Sequence, residues 1–498
     1  MTKFFSTFLK TNIPIILVAI FIIAFALRTG FINTHLFFGP EQGIDFAVVK
    51  NIVLNHDLTL IGAKTDIQGI YHGPIYYYVS SIPFLISGGN PLFISIFLIL
   101  LNCTTVLFLY LLGKNFKNVS TGVLSALIFA FSFNAIAYSR WLSTHPLAIP
   151  IVTLTFLFFV YFVKGNNKSL LWFSFFLGLL MQTEFLNIIF FGFATLLLVI
   201  IFFKRFKKQN ILYLIFNFLI AVGVAIGPFL LFDLRHNFLI TNNLSLLIKG
   251  EKGYYISFLD SILNNFSAFF AAFSSTITPS QMFFGALVFV ISIIFIIKQV
   301  RKKEELYKII LIWITSPLLI LLLTRHAAME QFFVALIPAF ILITALLLDK
   351  LFSISKKIGI IVIIVLIILN LTAWIKNIPV NNVFFQSTQP DLLYSDQLTA
   401  IDNIYKYANG KTFDIQTYTI PYWSQQGWEY LFWSYGYKKY KYMPMKDNPE
   451  LLFVIVQDDP SNRLFQSNWL KNTVKTWGKE IHRMNSGILT TRVIFLRE

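Results

Sequence analysis

The chain has 498 residues, 56% of them hydrophobic and only 13% charged, with a mean hydropathy of +0.70. Soluble domains carry about 25% charged residues, and repeated apolar runs of about 20 residues each match the roughly 30 Å of a bilayer's hydrocarbon, so a soluble globular protein is excluded and a polytopic membrane helix bundle is expected. The net charge of +17 sits in short clusters between apolar runs, which is the pattern of cytoplasmic loops and not of a nucleic-acid surface, and the single cysteine, Cys103, supports neither a disulfide framework nor a thiolate metal site.

In chain order, Lys3 and Lys10 precede an apolar stretch from Ile13 to Leu27, with no convincing small-residue cleavage site and Arg28 directly after it. This predicts an uncleaved signal anchor over 12–29. Further spans are expected at roughly 91–113, 119–138, 146–163, 169–183, 185–203, 211–232, 281–298, 308–324, 331–349 and 358–375, about eleven crossings in all. With the N-terminus in the cytoplasm, the inside loops hold Lys114 and Lys117; Lys164 and Lys168; Lys204, Arg205, Lys207 and Lys208; Lys298, Arg301, Lys302 and Lys303; and Lys350, Lys356 and Lys357. Excess Lys and Arg marks the cytoplasmic side, so the C-terminus is expected outside.

Two outside stretches interrupt the alternation. Residues 30–90 form a long first loop, whose end, YHGPIYYYVSSIPFLISGG (71–89), is apolar and tyrosine-rich. A crossing there would invert every later basic loop, so it is read as an interfacial or re-entrant helix, with tyrosines at the headgroup level. Residues 233–279 are expected to hold short amphipathic helices. After 376 the chain turns polar, with strand-like runs at 412–418, 451–457 and 491–498 and a helical pattern over 391–408. The expectation is a membrane domain over 1–376 and a small extracytoplasmic α/β domain over 377–498. Within the latter, the aromatic and basic stretch 423–444 reads either as ordinary core and surface or as a contact for a glycan or lipid headgroups.

Chemistry is concentrated at the outer ends of the spans. The first loop begins GPEQGID, with Glu41 and Asp45 four residues apart and therefore on one helical face. A solvated carboxylate pair accounts for that spacing. So does a base at a lipid-lined cleft, where desolvation raises a carboxyl pKa. His72, Arg140, His145, Glu184, Asp233, Arg235, His236, Arg325 and His326 gather on the same side. Singly, each arginine snorkels to headgroups; together they suit a phosphate-bearing lipid gripped by Arg140, Arg235 or Arg325, with His72, His145, Glu184, His236 and His326 as further substrate contacts.

EQGID, then YHGPIYYY, SRWLSTHPLAIP and PFLLFDLRHNF, in that order over roughly residues 10–350, resemble the polyprenyl-phosphate-sugar-dependent glycosyltransferases of the GT-C fold. The nearest resemblance is to prokaryotic members with a domain like that of lipopolysaccharide-core galacturonosyltransferases. Protein O-mannosyltransferases and the lipid A aminoarabinose transferase are more distant. The resemblance implies that Asp45 is the catalytic base, with Glu41 at the leading acidic position, and that a sugar moves from a polyprenyl-phosphate donor to a glycan, lipid or protein acceptor with inversion. Related sequences often carry Arg just before the aspartate, where this chain has Ile44, and often His where it has Glu184. A divalent cation such as Mg or Mn on Glu41 or Glu184 is compatible with this chemistry but not required by it. No P-loop, dinucleotide fingerprint or HExxH motif is found. A transporter or flippase of lipid-linked sugars is the alternative, and it would call for inverted repeats and ionisable groups at mid-membrane. A non-catalytic scaffold with a binding tail would leave the acidic loop unexplained.

Overall fold

The computed structural model describes residues 2–65, 67–249, 256–324, 327–383, 392–420, 424–474 and 478–495. Among these, eight helices are long and apolar enough to cross a membrane by length and composition, and nine if one bent pair is a single span. The two other expected crossings are the helices Ser169–Thr183 and Phe185–Ile201, of 15 and 17 residues, so the count of about eleven is not reached on length alone. The protein is an integral membrane helix bundle. Its outer helices show apolar side chains outward, as on Ile211–Arg235, where Leu212, Phe216, Phe218, Leu219 and Leu234 are exposed. Inner helices such as Ile337–Ile354 are mostly buried, and in the interior Trp313 stacks on Phe156 at 3.8 Å and donates to the Ala335 carbonyl at 3.0 Å.

The span expected at 119–138 is broken. Val119–Phe131 and Phe133–Arg140 meet at 58°. A break strands backbone groups that no water can reach. The fully buried Arg28 answers the freed carbonyls: Nη2 donates to Phe129 and Nη1 to Ala130, while Nε reaches Asn102 Oδ1. Its guanidinium also lies 4.5 Å from the centroid of the Phe129 ring. Across the break, the Phe133 N–H donates to Asn370 Oδ1 at 2.8 Å, and Ser132 Oγ donates to the Thr276 carbonyl.

The stretch 71–89 contains the helix Ile75–Ser87, ended by Gly88 at φ 63°. At 13 residues it rises about 20 Å, too short to span. The region 233–279 departs from expectation. Besides the short helix Leu239–Ile248 it forms Phe258–Ile277, a full 20-residue helix packed into the bundle through Asn265, Phe269, Phe273 and Ile277. Those positions recur every three to four residues, so the amphipathic stripe was readable and only its length was underestimated.

Beyond the last apolar helix, Lys356–Asn377, lies a four-stranded sheet of order β1-β2-β4-β3. β1 (Phe413–Tyr418) pairs parallel with β2 (Leu451–Gln457), and β4 (Leu489–Phe495) runs antiparallel to both β2 and β3 (Lys479–Ser486). Three strands match the expected runs. β3, KEIHRMNS, is an exposed polar edge strand without apolar alternation, which hid it. The helix Tyr394–Ala408 covers the sheet through Ala400, Ile401, Ile404 and Ala408.

Candidate active site

Pro40 opens the first-loop helix, Pro40–Asn55, where its missing N–H costs nothing. Gln42 Oε1 accepts the Gly39 N–H at 3.1 Å, and its Nε2 donates to the Leu142 carbonyl at 3.3 Å, which fastens EQGID to SRWLSTHP. One turn on, Asp45 points inward and is 8% exposed, while Glu41 is on the exposed face. The Tyr77 hydroxyl donates to Asp45 Oδ1 at 2.7 Å. Burial pushes the Asp45 carboxyl up to about 7, against the Tyr77 hydrogen bond, which lowers it, and with a smaller rise from the nearby Glu41 charge. Burial also raises Tyr76 and Tyr77 well beyond ordinary phenols, so both stay protonated donors.

Gly43, between the two carboxylates, faces the C-terminal sheet domain. A Cβ there would sit 2.4 Å from the Gln426 carbonyl carbon and the Gly427 nitrogen, and one on Gly427 would sit 2.9 Å from the Gly39 oxygen. The two backbones touch, and glycine is what permits it. Around that contact Tyr430 packs on Phe38 and Phe46 and donates to the Gly89 carbonyl at 2.7 Å. Trp433 stacks on Phe84 with the Lys50 ammonium 4.2 Å from its ring centroid. In this part of 423–444, Trp428, Tyr430, Leu431 and Phe432 are buried core; residues 421–423 lie outside the described residues.

A second group forms where YHGP meets QTE. The Gly73 N–H donates to the Gln182 carbonyl at 2.9 Å, and the Phe185 N–H donates to His72 Nδ1 at 3.2 Å. That nitrogen is 3.4 Å from Glu184 Oε1. His145 stacks on Trp141 at 4.5 Å, meets Ser143 Oγ at 2.8 Å through Nδ1, and leaves Nε2 buried without a hydrogen bond among the described residues. His145 and Glu184 line one small cavity of about 10 Å³ with Thr144, Thr183, Asn187 and Gln331. That is room for about one water.

The remaining arginines and histidines are not gathered there. Arg140 is buried, with Nη1 donating to the carbonyls of Arg28 and Gly30 at 2.7 Å each. A cation at a helix C-terminus is favourable by charge alone. Arg235 and His236 are exposed, the latter stacked on Phe232 at 3.9 Å. Their neighbour Asp233 caps the next helix through the Ile240 and Thr241 amides. Arg325 and His326 lie outside the described residues. No group of three or more His, Cys, Asp or Glu side chains that could hold a metal occurs among the described residues, and His72 with Glu184 is a pair only.

Sequence reasoning missed Tyr77, Gln42 and Glu330. Tyr77 and Gln42 sit inside quoted motifs but acquire partners only through packing. Glu330, hydrogen-bonded to Ser275 and Asn134, had a readable signal, since an ionisable side chain at the edge of an apolar span is a site candidate in its own right.

Residues 71–229 match the family model of dolichyl-phosphate-mannose-protein mannosyltransferases. No protein of curated function matches the chain in sequence. Among solved structures, ArnT from Cupriavidus metallidurans in the apo state aligns over 97% of this chain and 98% of its own, at 10% identity and a TM-score of 0.63. The same protein bound to undecaprenyl phosphate gives a TM-score of 0.62 at 10% identity, over 97% of this chain and 98% of its own. The oligosaccharyltransferase AglB from Archaeoglobus fulgidus, in complex with an inhibitory peptide and a dolichol-phosphate, aligns over 97% of this chain and 74% of its own, at 12% identity and a TM-score of 0.51. The chain has the GT-C fold, as the ordered motifs implied.

Proposed function

We propose that the protein is a membrane glycosyltransferase that moves a sugar from a polyprenyl-phosphate donor to an acceptor hydroxyl on the extracytoplasmic face, with Asp45 as general base. The observation that carries this reading is Asp45 itself: a buried carboxyl in the first loop, held by Tyr77 at 2.7 Å and raised to about 7 by burial. A base works best when its pKa lies near the working pH. The match of 71–229 to a dolichyl-phosphate-mannose family, and the lipid phosphates bound by ArnT and AglB, support a lipid-phosphate donor.

In the proposed step the acceptor O–H gives its proton to Asp45 while its oxygen attacks the anomeric carbon. The bond from that carbon to the phosphate oxygen breaks, and polyprenyl phosphate leaves with the electron pair, inverting the centre. Glu41 on the exposed face supports the base by its charge. Arg235 and Arg325 are proposed to meet the leaving phosphate, with Arg140 contributing only if it gives up the carbonyls it now holds. The His72, His145 and Glu184 group would orient the sugar. No step is routed through a metal. The N-terminus is placed in the cytoplasm, and residues 377–498 outside as a second functional unit.

The test is release of polyprenyl phosphate in proteoliposomes supplied with several polyprenyl-phosphate sugars and crude acceptor extracts. Wild type should turn over, and folded Asp45→Asn should lose roughly 10²–10⁴-fold. Equal turnover removes Asp45 as base. Movement of lipid-linked sugar across the bilayer without transfer would establish the flippase alternative.

A further inference from the structure

Where the C-terminal domain meets the end of the Ile75–Ser87 helix there is an open cleft of about 300 Å³, lined by Ser87, Asn90, Ser434, Tyr435, Lys438 and Lys439. It lies apart from the His145–Glu184 cavity, and the step proposed above makes no use of it.

The charge around this cleft is unbalanced. Lys438 and Lys439 are adjacent on one turn with Lys441 capping its end, and Lys50 of the first-loop helix and Lys438 both lie near the Trp433 ring. Asp402 answers Lys439 at 2.9 Å. Lys438 is held by the Ser87 and Gly88 carbonyls and by no carboxylate among the described residues. Neutral donors add to the cations: the Asn90 amide and the Ser434 hydroxyl, which has no partner among the described residues, whereas the Tyr435 hydroxyl donates to Asp402 at 3.0 Å. An anion is the missing component.

The helix that ends at Ser87 is apolar on its exposed face. Ile82, Leu85 and Ile86, spaced three and four residues apart on the Ile75–Ser87 helix, are all exposed just before Ser87. Tyr437 is exposed on the domain side. In an integral membrane protein an exposed apolar helix face belongs in the acyl boundary, and cations immediately beyond it stand at headgroup level. A soluble sugar anion would explain the lysines but not the apolar face.

We propose that this cleft binds the headgroup of an anionic phospholipid, with the phosphate between Lys438, Lys439 and Asn90 and the acyl chains along Ile82, Leu85 and Ile86. The lipid would then clasp the C-terminal domain to the helix that carries Tyr77. The proposal needs only membrane insertion and stands whether or not the protein transfers sugar.

The test is native mass spectrometry of the delipidated full-length chain in neutral detergent, titrated with short-chain phosphatidylglycerol, short-chain phosphatidylcholine or inorganic phosphate. Wild type should hold one more phosphatidylglycerol than Lys438→Gln/Lys439→Gln, whose affinity at that site should be roughly 30-fold weaker at low salt. Lys438→Arg/Lys439→Arg should keep the lipid. Equal retention by wild type and the glutamine variant overturns the proposal. So does displacement by equimolar inorganic phosphate, which would assign the cleft to a soluble anion. Should the glutamine variant fail to fold, wild type decides: added salt must release phosphatidylglycerol well before phosphatidylcholine, and equal release overturns the assignment.

Discussion

A carboxyl group that titrates near neutrality is half-protonated at working pH, so whatever moves its pKa moves the rate. The Tyr77 hydrogen bond holds the Asp45 pKa down against burial. Tyr77→Phe removes only the hydroxyl, so the pKa should climb, and the acid limb of the kcat/KM profile should move to higher pH with less change at alkaline pH. A fall of the same size at every pH would show that Tyr77 merely packs. Stability gives an independent reading. Asp45 has a folded pKa raised above its unfolded value, so the folded state binds the extra proton between about 4 and 7. Wild type should therefore lose thermal stability relative to Asp45→Asn as pH rises through that window, and should match it below pH 4. At this scale the sequence was informative about Asp45, because a carboxylate beside a membrane span is costly enough to need a reason. It was silent about Tyr77, which lies 32 residues away and meets Asp45 only when two helices pack.

Elements are held here by contacts that tolerate little change. Gly43→Ala would drive a methyl into the backbone of Gln426 and Gly427. Overpacking of this kind costs about 1–3 kcal/mol, and it should appear as faster proteolysis within the C-terminal domain and reduced turnover even with Asp45 intact. Arg28→Leu would strip the Phe129 and Ala130 carbonyls of their donors inside the bundle. At about 1–3 kcal/mol for each unsatisfied group, this variant should accumulate poorly and melt early in detergent. The apolar spans were legible because twenty-odd hydrophobic residues have few other solutions. The break at Ser132 was not, since its supports, Arg28, Asn370 and Thr276, come from three distant helices. β3 was hidden by its polar sequence, although Gly487 at φ 58° marks the turn that pairs it with β4.

For the whole molecule, the distribution of Lys and Arg fixes one expected orientation, and the chain is convenient for testing it. Its single cysteine, Cys103, is buried. Lys441→Cys should react with an impermeant maleimide added to intact cells, and Lys207→Cys should react only after the membrane is opened. The opposite pattern would turn the bundle over and place the Asp45 loop on the cytoplasmic side. Lys117 and Asp349, paired at 2.7 Å, stitch two helices together at the end of the bundle expected to face the cytoplasm, so disrupting them should affect accumulation more than turnover.

The touching backbones at Gly39, Gly43 and Gly427 also bear on biogenesis. The surface that seats the Asp45 helix is made nearly four hundred residues after that helix. Until that late segment has folded, the Asp45 helix lacks one wall and Trp433 cannot cover Lys50. A chain that stops before Gly427 leaves the Asp45 helix without the backbone it touches. The surroundings of Asp45 are complete only when the segment around Gly427 closes over the first-loop helix.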